Sequence, residues 1–112
     1  MTKIVQTWKK AMISTIKQNE QPEPSKLLFP LGQLVITKGA LKLLDGNDFL
    51  RYIARHATGD WGDLDAEDKF TNDESVKLGE RILSAYTTPK GKIWIITERD
   101  RSVTTILLPE EY

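Results

Sequence analysis

The chain has 112 residues, of which 39% are hydrophobic and 29% charged, and its formal net charge is zero. This balance is typical of a single folded domain and excludes an intrinsically disordered chain. Because the chain has no cysteine, disulfides, a thiolate nucleophile and a cysteine-ligated zinc site are excluded. No apolar run is long enough to span a bilayer and no signal peptide is apparent, so we expect a cytoplasmic protein without a membrane partner.

Residues 1–26 are basic, with five lysines against two glutamates. Apolar residues recur in 3–18 at the spacing of an amphipathic helix, and they are Ile4, Val5, Trp8, Ala11, Met12 and Ile16. Two prolines in 19–25 predict a linker. We therefore assign 1–26 as an N-terminal helix with its linker and 27–112 as the core domain. The helix either packs on the core or is an arm that meets a partner.

The next stretch predicts a short strand and two helices. The apolar run 31–37 is the strand, and Thr37 is suited to cap a helix that begins at residue 38. An Asp-Gly turn at 45–46 precedes a second helix, which begins at Asn47 or Asp48 and ends at Gly59. Three basic residues lie off the apolar face of this second helix and near its end, where the helix dipole favours cations: Arg51, Arg55 and His56.

Residues 60–79 predict a turn followed by a polar helix. Trp61 lies between two glycines in the turn, and its exposure, hence its ability to stack on a nucleic-acid base, is left open. Asp63 or Asp65 would cap the helix and Gly79 would end it. The helix has few apolar residues and is expected to pack by a narrow stripe of them: Ala66, Phe70, Val76 and Leu78.

Three segments of the C-terminal third are rich in β-branched and aromatic residues and predict strands: 81–88, 92–98 and 102–108. Turns at 88–91 and 99–100 connect them into an antiparallel meander. Both faces of the middle strand are largely apolar, so helices are expected to cover much of the sheet. The predicted fold class is α+β, an antiparallel sheet of three or four strands packed by helices, with the N-terminal amphipathic helix added.

The segment 97–105, TERDRSVTT, offers the strongest candidate chemistry. If the only histidine faces this hairpin, it could serve as an acid/base group while arginines hold a phosphate and hydroxyls assist. The candidate catalytic residues are His56, Arg101, Tyr86 and Thr104, with Arg99 as a phosphate ligand. This hypothesis predicts that His56→Ala and Arg101→Ala abolish activity with little change in melting temperature. The alternative is an ordinary solvated turn and a helix-end histidine.

The acidic segment 60–74 does not have the spacing of a calcium loop, and a second histidine is lacking. We therefore expect neither a metal nor a cofactor. Acids at the start of a helix explain most of this segment. It could equally be the contact surface for a host protein, which is the alternative to a catalytic function.

Three motifs, RHATGDWGD, RILSAY and WIITERDRSVTTILLPEEY, together with the region of Asp68 and Asn72, resemble a family of small plasmid- and mobile-element-associated bacterial proteins without an assigned activity. The resemblance implies that Asp60, Trp61, Asp68 and Asn72 are binding residues alongside the candidate catalytic set. The order of elements resembles that of small ribonuclease domains of the barnase, EndoU, colicin and RelE type. This second resemblance implies metal-independent cleavage of RNA, or binding of a nucleotide.

Overall fold

The computed structural model describes residues 27–44 and 48–112. Its elements in chain order are β1 (Gln33–Ile36), α1 (Lys38–Leu43), α2 (Asp48–Ala57), α3 (Ala66–Leu78), β2 (Ile82–Thr88), β3 (Gly91–Thr97), β4 (Val103–Leu107) and a 3-10 helix (Pro109–Glu111). The α+β class is therefore confirmed. The predicted N-terminal helix over 3–18, its linker and the turn at 45–46 lie outside the described residues.

The four strands form one sheet in the order β1-β4-β3-β2. Strands β2, β3 and β4 are the expected antiparallel meander, with Ile95 opposite Ile106. Strand β1 differs from the expectation of an antiparallel sheet, because it lies parallel to β4 with Val35 opposite Thr105. Strand β1 lies at the edge of the sheet opposite β2, and three helices lie between the two strands along the chain. An apolar run indicates a strand, but it does not fix that strand's direction.

Helices α1 and α2 cover one face of the sheet, and we call it the first face. Thr37 caps α1 as predicted, accepting a hydrogen bond from the Ala40 amide at 3.2 Å. The helices and the first face share one core, which contains Ile36, Ala40, Leu44, Phe49, Leu50, Tyr52, Ile53, Tyr86, Ile93, Ile95 and Ile106. This burial of apolar surface is the main stabilising term of the fold.

Helix α3 begins and ends where the sequence predicts. The Asp65 carboxylate accepts a hydrogen bond from the Asp68 amide at 2.8 Å, and Gly79 ends the helix with a positive φ of 72°. The apolar stripe predicted for this helix packs only in part, because Val76 lies against the core residues Phe29, Trp61 and Ile82 while Ala66, Phe70 and Leu78 are exposed. The buried residues of α3 are Asn72 and Ser75, whereas Phe70 and Leu78 are 64% and 70% exposed.

The free edge of β2 is covered by the turn that contains Trp61. The Asp63 amide donates to the Ala85 carbonyl at 2.7 Å, and the Ala85 amide donates to the Trp61 carbonyl at 3.2 Å. Gly62 lies so close to the strand that an added Cβ would collide with the Ala85 carbonyl oxygen. Covering an edge in this way blocks pairing with another strand.

Candidate functional site

His56 lies inside the domain, with 0% of its surface exposed. The prediction that it lies off the buried face of α2 is therefore wrong. Its ring packs edge-on against two aromatic rings, Phe29 at 5.3 Å and Trp61 at 5.9 Å between centroids. The apolar pattern of α2 did not reveal this, because a histidine is buried readily once both ring nitrogens have hydrogen-bond partners.

Both nitrogens of His56 have such partners. Nδ1 lies 2.6 Å from the Ser84 hydroxyl and Nε2 lies 2.9 Å from the Thr97 hydroxyl. The Thr97 hydroxyl lies 2.7 Å from that of Thr104, which donates to the Leu31 carbonyl at 2.7 Å. We call this series of five groups, from Ser84 to Leu31, the His56 chain.

The last bond of the His56 chain fixes the direction of the others, because a hydroxyl has a single proton to donate. Thr104 gives its proton to Leu31, so Thr97 must donate to Thr104. Nε2–H of His56 must then donate to Thr97, which leaves Nδ1 as the acceptor of the Ser84 proton. The geometry therefore assigns the neutral Nε2–H tautomer. The chain connects α2, β2, β3, β4 and the segment before β1.

Burial and, to a smaller extent, the positive charge of Arg101 together lower the pKa of His56 from 6.5 to about 3. The imidazole is consequently neutral in the folded protein at physiological pH. Neither nitrogen has a lone pair or a proton to spare for a substrate. The His56 chain gives hydrogen-bond partners to four buried polar side chains, and it joins one helix to three strands.

We expect acid to destabilise the fold through this one residue. In the unfolded chain His56 takes up a proton near pH ~6.5, whereas the folded pKa is about 3. Below pH ~6.5 the unfolded state therefore binds more protons, and the free energy of unfolding should fall by up to about 1.4 kcal/mol per pH unit. Urea titrations at pH 7.5 and pH 5 should differ by about 2 kcal/mol.

The chain has one histidine, so a matched control is simple. His56→Gln should lose most of the pH dependence between pH 7 and 5, whatever its absolute stability. An NMR titration of the wild-type ring provides an independent check, since its signals should not titrate in that range. A ring midpoint near pH ~6.5 in the folded protein would show that the residue is not buried as a neutral base.

Arg101 is positioned beside this cluster, and its guanidinium makes three hydrogen bonds within the protein. One guanidinium nitrogen donates to the carbonyls of Glu80 at 2.6 Å and Glu98 at 3.1 Å, and the other donates to the carbonyl of Ser75 at 3.0 Å. The guanidinium also lies 5.6 Å from the Phe29 ring centroid. Arg101 thereby connects the end of α3 to the β3–β4 turn.

The β3–β4 turn does not bring Arg99 and Arg101 together around a phosphate. The Arg99 side chain is 73% exposed and lies 3.7 Å from the Glu80 carboxylate. Arg101 has a positive φ of 59°, as in a hairpin turn that closes with a left-handed residue. Its side chain therefore turns back towards α3. Both arginines contact Glu80, Arg99 at its carboxylate and Arg101 at its main-chain carbonyl, so each guanidinium is engaged within the protein.

Tyr86 and Asp60 meet at the opposite end of β2. The buried Tyr86 hydroxyl donates to the Asp60 carbonyl at 2.7 Å, and burial raises the pKa of Tyr86 well above its ordinary value. The Asp60 carboxylate pairs with Arg55 at 2.7 Å, and this hydrogen bond lowers the pKa of Asp60. Arg55 also lies 4.6 Å above the Tyr86 ring. The tyrosine is therefore a support for the Asp60 turn.

Trp61, whose exposure the sequence left open, is buried in a second core cluster. This cluster consists of Phe29, Trp61 and Ile82, and Trp61 is 3% exposed. Its indole N–H donates to the Asp73 carboxylate at 2.9 Å, so the tryptophan joins the turn to α3. A ring held in this way has no face available for stacking on a base.

Asp68 and Asn72 lie on α3, where it meets β2. The Asn72 side-chain amide donates to the Leu83 carbonyl at 2.7 Å and accepts from the Leu83 amide at 3.3 Å. It thereby completes the hydrogen bonding of the edge strand. Asp68 is exposed on a groove of about 280 Å³ that is also lined by Leu64, Thr71, Asn72, Arg81 and Leu83.

The structure therefore brings His56 and Thr104 together in one buried chain and Arg101 next to it, while Tyr86 and Arg99 lie apart. Sequence reasoning missed the two hydroxyls that complete the chain, Ser84 and Thr97. The signal that could have found them is their position. Each takes an inward-facing place next to buried apolar residues of its strand, where a hydroxyl needs a buried partner.

No protein-family model, curated protein or solved structure matches the chain. The resemblances noted in the sequence therefore stay predictions. Within residues 27–44 and 48–112, no helix is long and apolar enough to cross a membrane. In the same ranges, no group of three or more histidine and carboxylate side chains lies together in a way that could hold a metal ion.

Proposed function

We propose that this protein is a non-catalytic interaction module that binds a basic, amphipathic helical segment of a partner protein through the outer side of α3. The observation that carries the proposal is the exposure of two large apolar residues, Phe70 at 64% and Leu78 at 70%, on that helix. Single exposed apolar residues are ordinary, but two on one helix face indicate a contact surface.

The positions of these residues define one surface. Glu67, Phe70, Glu74 and Leu78 follow each other at spacings of three and four residues, which places them on one side of a helix. Phe70 and Leu78 lie about 12 Å apart along the axis. The opposite side of α3 is attached to the domain through Asn72 and Ser75. We call the group of four residues the α3 outer face.

Charge specifies the kind of partner. Residues 60–79 contain seven carboxylates and two lysines. Among the acids on the outer face, Glu74 lies 3.6 Å from the exposed Lys77, a pair that is weak at this level of exposure. A partner with lysines or arginines around an apolar stripe would match both the carboxylates and the two apolar residues. Such charges chiefly raise the rate of association and make it dependent on salt.

The alternative, a ribonuclease-like or nucleotide-binding site, has weaker support. A general acid or base must reach the proton that it transfers, and His56 is fully buried with both nitrogens bonded. The Arg101 guanidinium is already held by three hydrogen bonds to backbone carbonyls, which compete with a phosphate for its donors. These contacts favour a structural role for the motif residues.

The proposal can be tested with a short synthetic helical peptide that has leucine on one side and lysine on the other. Titrated into the isotopically labelled full chain, it should shift the amide signals of α3 in a saturable manner. Phe70→Ser combined with Leu78→Ser should weaken binding at least tenfold, about 1.4 kcal/mol. Added salt should weaken binding to the wild-type chain as well.

Matched controls separate a specific surface from general stickiness or charge. Leu28→Ser changes another exposed leucine, 49% exposed and outside α3, and should leave binding unchanged. Glu67→Lys should weaken binding more than Glu110→Lys, which changes an exposed acid far along the chain. Equal binding of a peptide with glutamate in place of lysine, or no dependence on Phe70 and Leu78, would refute the proposal.

A further inference from the structure

The groove between α3 and β2, which we call the α3–β2 groove, has the size of a single long side chain. Its volume is about 280 Å³, many times the ~15 Å³ that one water molecule needs. It is just smaller than the ~300–1,000 Å³ of typical ligand and cofactor pockets. Two half-buried leucines give it apolar walls, Leu64 from the turn before α3 and Leu83 from β2.

The Asp68 carboxylate gives this groove a negative charge. Asp68 is exposed, and within residues 27–44 and 48–112 no cation lies within ion-pair distance of its carboxylate. The positive end of the helix dipole offsets part of this charge, but only by about half an elementary charge. The Asp65 carboxylate, which accepts a hydrogen bond from the Asp68 amide at 2.8 Å, adds a second negative charge nearby.

Arg81 also lines the groove, but its charge is balanced by other residues. Its Nε lies 3.6 Å from the Glu98 carboxylate, and another guanidinium nitrogen donates to the Tyr112 hydroxyl at 2.7 Å. The guanidinium also lies 5.2 Å from the Tyr112 ring centroid. Because Arg81 is paired with Glu98, the charge of Asp68 remains available to a cation that enters the groove.

Thr71 adds an uncharged acceptor next to Asp68. The two residues are three positions apart on α3, so their side chains are neighbours on the helix surface. The Thr71 hydroxyl donates its proton to the Glu67 carbonyl at 3.1 Å, so it can only accept from a ligand. A guanidinium suits this pair, because its planar fork of N–H groups can bind both carboxylate oxygens and still donate to a neighbour. It is also less strongly hydrated than an ammonium, which suits apolar walls.

We propose that the α3–β2 groove binds an alkylguanidinium group. The guanidinium donates to Asp68 and Thr71, and the alkyl stem packs along Leu64 and Leu83, as the stems of long charged side chains do on apolar surface. The groove is then a cation site with a defined shape, distinct from the exposed apolar residues of α3.

The identification of this group as an arginine side chain of the partner rests on the proposed function. Thr71 lies four residues after Glu67 and seven before Leu78, so it borders the α3 outer face. A basic helix that lies on that face would bring its own side chains to the groove. An arginine that fills a pocket beside the main contact is a frequent anchor of protein interfaces.

The test is an NMR titration of the isotopically labelled full chain with n-butylguanidinium at low salt. A ligand of about eight non-hydrogen atoms should bind with a Kd on the order of 10 mM and shift the amides of Asp68, Thr71 and Leu83 most. The uncharged isostere n-butylurea should bind about threefold to fivefold more weakly, as expected for loss of one partly exposed ion pair. n-Butylammonium at the same ionic strength should also bind more weakly than n-butylguanidinium.

Substitutions assign the preference to the groove. Asp68→Asn keeps the size of the side chain and should reduce the affinity for n-butylguanidinium to that for n-butylurea. Asp48→Asn is the matched control, because it makes the same change in the first turn of α2, and it should leave the preference intact. Thr71→Lys should abolish binding, since its ammonium can pair with Asp68 from three residues away. Equal binding of the two compounds to the wild type, or an unchanged preference in Asp68→Asn, would overturn the proposal.

The helical peptide of leucine and lysine separates this proposal from the proposed function. When arginine replaces each lysine in turn, one position should strengthen binding to the wild type but not to Asp68→Asn. If the peptide does not require Phe70 and Leu78 while n-butylguanidinium still requires Asp68, the proposed function fails and the groove remains a guanidinium site. If the peptide requires Phe70 and Leu78 but n-butylguanidinium does not require Asp68, the groove proposal alone fails.

Discussion

Replacing His56 with alanine is expected to lower the free energy of unfolding by about 3–5 kcal/mol. The substitution removes a buried ring packed against Phe29 and Trp61 and leaves the Ser84 and Thr97 hydroxyls without their partner. Because small domains are stable by only ~5–15 kcal/mol, much of the variant should be unfolded at moderate urea concentrations. Urea unfolding followed by circular dichroism measures the loss.

Arg51→Ala is the matched control, since Arg51 lies on the same helix with a side chain that is 71% exposed. Its effect should stay within about 0.5 kcal/mol. A smaller loss is expected when the partners are removed together with the ring. His56→Leu combined with Ser84→Ala and Thr97→Val leaves no unpaired hydroxyl beside the ring position. If His56→Ala unfolds like the wild type, the imidazole does not hold the strands together.

This result also separates the two interpretations of the histidine. The catalytic hypothesis predicts a folded, inactive variant with an unchanged melting temperature. The buried chain predicts loss of the fold itself, so any loss of activity in His56→Ala would follow from unfolding. A histidine within a motif can be a structural requirement, and a motif alone does not distinguish the two roles.

Much of the fold could be predicted from local pattern. The strands predicted at 81–88, 92–98 and 102–108 correspond to Ile82–Thr88, Gly91–Thr97 and Val103–Leu107. Thr37, Asp65 and Gly79 also have their predicted roles at helix ends. These features depend on interactions between residues close in sequence, which periodicity and capping rules describe well.

The features that could not be predicted depend on partners distant in sequence. His56 can be buried because it forms hydrogen bonds with Ser84 and Thr97. These residues lie 28 and 41 positions further along the chain. Helix α3 exposes Phe70 because Asn72 and Asp73 attach it to β2 and Trp61. In each case a polar contact determines which side of the helix is buried, and that side differs from the one that hydrophobic spacing predicts. Amphipathic patterns identify apolar faces, but they cannot identify a polar face with specific partners.

The same reasoning gives the second large effect, at Arg101. Arg101→Ala should lower the free energy of unfolding by about 2–4 kcal/mol. It removes three hydrogen bonds to the carbonyls of Ser75, Glu80 and Glu98 and a positive charge near the C-terminal end of α3, where the helix dipole favours one. It also leaves an alanine at a φ of 59°. Thermal and urea unfolding of the purified variant measure the change.

Two further variants separate the side chain from the backbone. Arg101→Gly loses the same hydrogen bonds but accepts the left-handed conformation, so it should be about 1 kcal/mol more stable than Arg101→Ala. Arg99→Ala changes the neighbouring exposed arginine and should cost less than about 0.5 kcal/mol. If Arg99→Ala and Arg101→Ala had equal, small effects, the Arg101 guanidinium would not be holding α3 to the sheet. That outcome would favour a ligand-binding role for Arg101.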